Sequence, residues 1–173
     1  VSVVRVLLVM AVALVLQLAL AQWTIGGRWV FDLVLVGVVY AALQWGPVSG
    51  MMAGTLGGLT QDALSGEILG IGSFAKTVAG LGVGIAGAQF VVSGAGGRLA
   101  TLAVATVGHR LLVASLMALL DARWSGLSWT SMLVEVVCNS VAGFVVFQAT
   151  DMLPGAVRQT RERTRSSLSK RRW

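Results

Sequence analysis

The residues best placed to do chemistry in this chain lie inside its apolar stretches. Thr106, His109 and Arg110 stand at i, i+3 and i+4 in LATLAVATVGHRLLVASLMALL, which puts them on one face of a helix. Glu135 and Asn139 stand one turn apart in WTSMLVEVVCNSVAGFVVFQAT, and Lys76 follows the glycine-rich GIGSF. A histidine, two cations and a carboxylate in apolar helices could serve a proton or ion path, a ligand pocket, or a structural ion pair. A charge at mid-bilayer costs about 2.5–3.5 kcal/mol on insertion scales, so each one calls for a partner. Arg110 and Glu135, on neighbouring segments expected to run antiparallel, are the natural pair; they differ in depth by a few residues, which a long arginine spans. Transport usually requires several acids at matched depth or broken helices in paired halves. One deep acid and one histidine weigh toward a structural or partner-docking role.

Hydrolytic chemistry is poorly supported. Ser73 in GIGSF has the surroundings of an intramembrane serine nucleophile with His109 as base, but Phe74 stands where a glycine usually follows. An aspartyl dyad drawing on Asp62 with Asp32 or Asp121 needs acids converging at one depth, and these acids fall at segment edges, where capping or solvation explains them. No Cys/His cluster has metal spacing, and no phosphate-binding or dinucleotide fingerprint follows a strand. No enzymatic activity and no cofactor are expected. Cys138 reads as a small core residue.

The elements that must position these residues follow from composition. Of 173 residues, 56% are hydrophobic and 12% charged, and mean hydropathy is +0.84. A soluble domain carries about twice that charge, so the chain reads as an integral membrane protein. Six apolar segments can be drawn, at 6–21, 29–45, 48–61, 74–92, 99–120 and 129–150. The expected fold is all-α: one bundle of about six transmembrane helices over residues 1–153. The N-terminal segment has the charge and core of a signal peptide, but its apolar run is too long, and it reads as a first span. Trp23, Trp29, Trp45, Trp124 and Trp129 sit at segment edges, where an indole belongs in the interface.

The net charge of +6 is concentrated in RQTRERTRSSLSKRR, within a basic tail at 154–173. After a hydrophobic bundle such a run reads as a cytoplasmic tail against anionic headgroups, at about 1 kcal/mol per basic residue, and nucleic acid is not the expected partner. With six spans both termini are then cytoplasmic, and the polar centre of the third connection, from Asp62 to Ser73, lies on the outer face. Five spans with a re-entrant third segment is the alternative topology.

Glycine spacing supplies the packing logic. Gly50, Gly54 and Gly58 form two small-x-x-x-small steps, joined by Gly57, and Gly80, Gly84 and Ala88 repeat the pattern in the next segment. Removing side chains at that spacing lets backbones approach closely, which is how helices in lipid gain contact. These stripes are candidates for helix packing or for a partner interface. Between them, DALSGEILGIG reads as a breaker: Asp62 and Ser65 can satisfy free backbone N–H groups, and Gly66 and Gly70 allow turns.

The full arrangement, G-x-x-x-G-x-x-G-G-x-x-Q-D, then SG, then LG-I-G-S, then a helix with basic and glycine residues, resembles the rod shape-determining protein family MreD. FDLVLVGVVYAALQWGPVSGMMAG fits it too, with an acid opening the second segment and a Gly-Pro turn before the third. The resemblance covers most of the chain, with its specific part at 31–84; Lys76 near the membrane edge and the long basic tail depart from the pattern. It implies a non-enzymatic scaffold of the bacterial elongation machinery in the inner membrane. The implied partner is the bitopic protein MreC and, directly or through it, RodA with its penicillin-binding transpeptidase, and MreB; a second copy of the chain is a further candidate. It also implies a bundle similar to the membrane S-components of energy-coupling-factor transporters. The alternative function is therefore a small-molecule-binding subunit of an uptake transporter, with its pocket beneath the Asp62–Ser73 connection.

Overall fold

The computed structural model describes residues 3–20, 24–25, 28–29, 31–66, 68–89, 94–120 and 128–152. Among the described residues six helices follow in chain order: α1 (Val3–Ala19), α2 (Leu33–Trp45), α3 (Pro47–Ser65), α4 (Ile71–Gln89), α5 (Ala95–Leu119) and α6 (Trp129–Met152). Between α1 and α2 two short strands, β1 (Thr24–Ile25) and β2 (Arg28–Trp29), pair antiparallel with Thr24 opposite Trp29. The expected second segment is thus corrected at its start. Trp29 ends a strand, and the helix begins at Leu33 because the Asp32 carboxylate accepts from the Leu35 N–H at 2.9 Å, an N-cap.

Three helices, α4, α5 and α6, are long and apolar enough to cross a membrane; α1 and α2 are as apolar but shorter, at 17 and 13 residues. α3 also runs longer than its sequence suggests, 19 residues in place of a short glycine-rich segment. Its helix continues one turn through Asp62 and stops at Gly66, whose φ of 69° is left-handed and suits a residue without Cβ. The breaker therefore starts at Gly66, four residues later than the acid.

α2 is the central element. Val34, Leu35, Val36, Val38, Val39, Ala41 and Ala42 are all buried, so the helix is apolar on every side. One side packs on α1 and α3 through Val6, Met10 and Ala53; the other packs on α4, α5 and α6 through Val83, Leu102, Ala105 and Phe147. The outward faces carry large exposed apolar side chains, among them Leu8, Val15, Val104, Val137 and Val141. In water that surface would be a liability, and in lipid it is the contact surface. The expected tail at 154–173, Trp23, Asp121, Arg123 and Trp124 lie outside the described residues, as do the side chains of Arg28 and Trp29.

Candidate functional site: a glycine seam and a buried ionic core

The helix pair α3–α4 is joined by its glycines. A Cβ built on Gly50 would strike the Gly80 carbonyl; on Gly54, the Lys76 carbonyl with the Thr77 N at 2.6 Å; on Gly58, the Ser73 Cα. On Gly84 it would strike Pro47, and on Gly80 the Gly50 carbonyl. The partners descend one helix as they ascend the other, so the pair is antiparallel with backbone on backbone along its length. Gly57 faces elsewhere, toward Met10 and Val34, where a Cβ would come within 2.8 Å of each. The stripes singled out in the sequence are therefore filled from within the bundle.

The seam closes at Asp62. Its Oδ2 accepts from the backbone N–H of Gly70 and of Ser73, both at 3.0 Å, so the last turn of α3 caps the first turn of α4. Three features of the geometry explain why α4 starts at Ile71, one turn before the expected Phe74: this acid at the helix N-terminus, a left-handed Gly70 (φ 99°), and the Phe74 N–H bonded to Gly70 O at 2.8 Å. Ser65 donates its hydroxyl to the Gln61 and Asp62 carbonyls, closing the end of α3, and among the described residues it accepts from no backbone N–H. Ser73 Oγ donates to the Thr55 carbonyl at 3.1 Å, and the Thr55 and Thr77 hydroxyls meet at 2.9 Å. Ser73 is thus a seam residue, held away from any nucleophilic task.

On the far side of α4 lies a core of different character. Lys76, Asp32, Thr106, His109, Glu135 and Asn139 are all buried, and come from α2, α4, α5 and α6. Lys76 Nζ lies 2.8 Å from Asp32 Oδ2 and 3.3 Å from His109 Nε2. Arg110 Nε donates to Glu135 Oε2. Asn139 Oδ1 accepts from the Asp32 N–H at 2.8 Å, and its amide donates to Thr106 Oγ1 at 3.3 Å. Gln17 of α1 completes the set, accepting from the Leu33 N–H at 2.7 Å and donating to the Phe31 carbonyl at 2.9 Å. Helices α1, α4 and α6 each bring a polar side chain to the start of α2, and α5 reaches it through Lys76 and Asn139.

Register explains the convergence. α5 and α6 run antiparallel with Thr106 beside Asn139 and Arg110 beside Glu135, and Arg98 meets Asp151 at 2.6 Å where the pair ends. Lower on the same pair a Cβ on Gly143 would strike Leu102. The i, i+3, i+4 spacing of the α5 stripe and the i, i+4 spacing of Glu135 and Asn139 put five polar groups on the two facing sides.

The sequence reading missed Asp32 and Lys76 as partners. Asp32 is the helix cap that its place at a segment edge allows, but it is buried and not solvated, and Lys76 lies inside and not at the membrane edge; the two are 6% and 3% exposed. The signal was present, since a lysine inside an apolar segment needs an acid, but the acid stands 44 residues away on a helix whose neighbour could not be read from the chain. Asp32, His109 and Glu135 also bring one ligand atom each to within 4.8 Å of one another. That is a set a cation could use, and the Lys76 ammonium already lies against two of its three members.

The family profile described as rod shape-determining protein MreD matches residues 1–157. Searches of curated proteins and of solved structures found no match. Since the match spans most of the chain and agrees with its apolar helices, the chain belongs to the MreD family of rod shape-determining membrane proteins.

Proposed function

We propose that the chain is a non-enzymatic scaffold of the bacterial elongation complex, a multi-pass bundle in the inner membrane with both termini cytoplasmic. In this reading it binds the membrane helix of MreC, and through MreC it helps control peptidoglycan synthesis by RodA and its transpeptidase in register with MreB. The observation that carries the reading is how the buried polar groups are used. Asp32, Lys76, Arg110, Glu135, Asn139 and Gln17 are engaged with one another or with the ends of helices. A catalytic or substrate site needs free groups converging on a space, whereas these lock α1, α2, α4, α5 and α6 at fixed register. Such a network makes a rigid body with apolar outer faces, suited to presenting helices to other membrane helices. Because the glycines at 50, 54, 58, 80 and 84 are filled internally, the partner is assigned to the outward faces of the bundle and not to those stripes.

The test is co-purification of MreC with the full chain in mild detergent, paired with depletion in rod-shaped cells. Retention of MreC and rounding of the cells are the expected results. A clean failure of MreC to co-purify would remove the reading.

One observation favours the transporter-subunit alternative, which also draws on the proposed likeness to S-components. A groove of about 460 Å³ runs between α4 and α5, lined by Ala79, Gly82, Val83, Val104, Gly108 and His109 among others, and that volume is in the range of ligand pockets. Its walls are almost wholly apolar, which suits a hydrocarbon and not a polar nutrient. A nutrient requirement on depletion, with rod shape preserved, would favour it.

A further inference from the structure

The contact between Lys76 and His109 fixes more than a distance. An ammonium carries three donors and no lone pair, so it approaches His109 Nε2 at 3.3 Å only if that nitrogen offers its lone pair. The imidazole is then neutral with its proton on Nδ1, and Nδ1 is buried without a partner. A metal ion takes the same Nε2 lone pair and the same carboxylate oxygen. Lys76 Nζ thus draws on two of the three residues, Asp32, His109 and Glu135, that each bring one ligand atom to within 4.8 Å of the others.

We propose that Asp32, His109 and Glu135 form a cation site whose resident occupant is the Lys76 ammonium and whose exchange partner is a divalent transition-metal ion of the zinc type. One imidazole with two carboxylates suits zinc, which leaves a fourth position for water. Tetrahedral bonds of about 2.1 Å place ligand atoms roughly 3.4 Å apart, so the three atoms close by no more than about 1.5 Å once the ammonium leaves. Asp32 and Glu135 already balance Lys76 and Arg110, so the dication enters as the Lys76 ammonium gives up its proton to solvent and the water in the fourth position gives up another. Arg110 holds Glu135 through Oε2, which leaves the second carboxylate oxygen for the ion. The ligands come from α2, α5 and α6, and the tethered cation comes from α4. Exchange therefore releases α4 from the ionic core, while the glycine seam keeps it on α3.

The experiment uses the full chain, purified metal-free in detergent, titrated with Zn²⁺ by calorimetry and with Co²⁺ by visible absorption. Lys76→Met is expected to bind one ion per chain about a hundredfold more tightly than the parent chain, with the absorption of a tetrahedral Co²⁺ site. Adding His109→Ala to Lys76→Met should abolish that binding, and Lys76→Arg should behave as the parent. If Lys76→Met gains no affinity, or if the parent binds equally well, the proposal is overturned. Should Lys76→Met be recovered poorly, it is purified with Zn²⁺ and with chelator. Recovery only with Zn²⁺ supports the site, and failure under both conditions, when Lys76→Arg is recovered, overturns it. None of these readouts involves MreC, so the outcome is independent of the scaffold reading.

Discussion

Two faces of α4 join it to the rest of the bundle by opposite means. Toward α3 it presents Gly80, Gly84 and the backbone of Lys76 and Ser73, and the contact works because side chains are missing. Toward α2 and α5 it presents the Lys76 ammonium, and the contact works because a charge is present. In lipid, apolar side chains gain little by leaving the solvent for one another. Helices are then held either by closer van der Waals approach or by polar groups whose alternative is an unsatisfied charge in hydrocarbon. The first device tolerates no added atom, and the second tolerates no lost partner. One helix using both shows that they specify different things: the seam sets how near the helices lie, and the ion pairs set their register.

That contrast can be broken in graded ways. The largest effect is expected at the ionic face. Lys76→Met in metal-free buffer leaves Asp32 buried without its cation and should cost about 3–5 kcal/mol, read by unfolding in mixed micelles. A loss below 1 kcal/mol would mean that the pair is not held in the folded bundle. Gly54→Ala comes next. Its Cβ meets the backbone of Lys76 and Thr77, which cannot rotate away, so a loss of roughly 1–3 kcal/mol follows; an unchanged midpoint would make the seam incidental.

The Arg110–Glu135 pair should show coupling in a double-mutant cycle. Because Arg110 is partly exposed, Arg110→Ala with Glu135→Ala is expected to fall short of additivity by about 1 kcal/mol. Additive losses would show the two residues acting independently. Asp62→Ala removes the acceptor for the Gly70 and Ser73 N–H groups and should cost of order 1 kcal/mol, fraying the start of α4 first in hydrogen exchange. The smallest effect separates the seam from glycine content in general. Gly82 lies on α4 between two seam glycines yet has nothing within 4 Å of a built Cβ. Gly82→Ala should therefore leave stability within about 0.5 kcal/mol of the parent, and a loss like that of Gly54→Ala would collapse the distinction.

Much of the candidate site was legible in the chain, for local reasons. Gly50, Gly54 and Gly58 repeat at four residues, and that period alone places them on one helical face. Arg110 inside an apolar run announces its need for an acid, and Glu135 is the acid on the next helix. The Asp32–Lys76 pairing is not legible, because an acid at a segment edge is explained by capping alone and a lysine near the start of an apolar segment by the membrane edge. A serine at a helix boundary can close carbonyls or cap N–H groups, and the position of Gly66 puts Ser65 at the end of α3, where it closes carbonyls.

That this is an apolar helical chain with glycine stripes and a few charges inside its apolar segments follows from the order of residues, since hydropathy, helical period and desolvation cost are properties of short stretches. Who meets whom is settled by packing: that α2 is the central helix, that the glycine stripes close on each other, and that Asp32, Lys76, His109 and Glu135 share one place. Those outcomes depend on how six helices are ordered around one another, and in a medium where any apolar face can meet any other, hydropathy carries no information about that order. The chain announces its charges, but only packing chooses their partners.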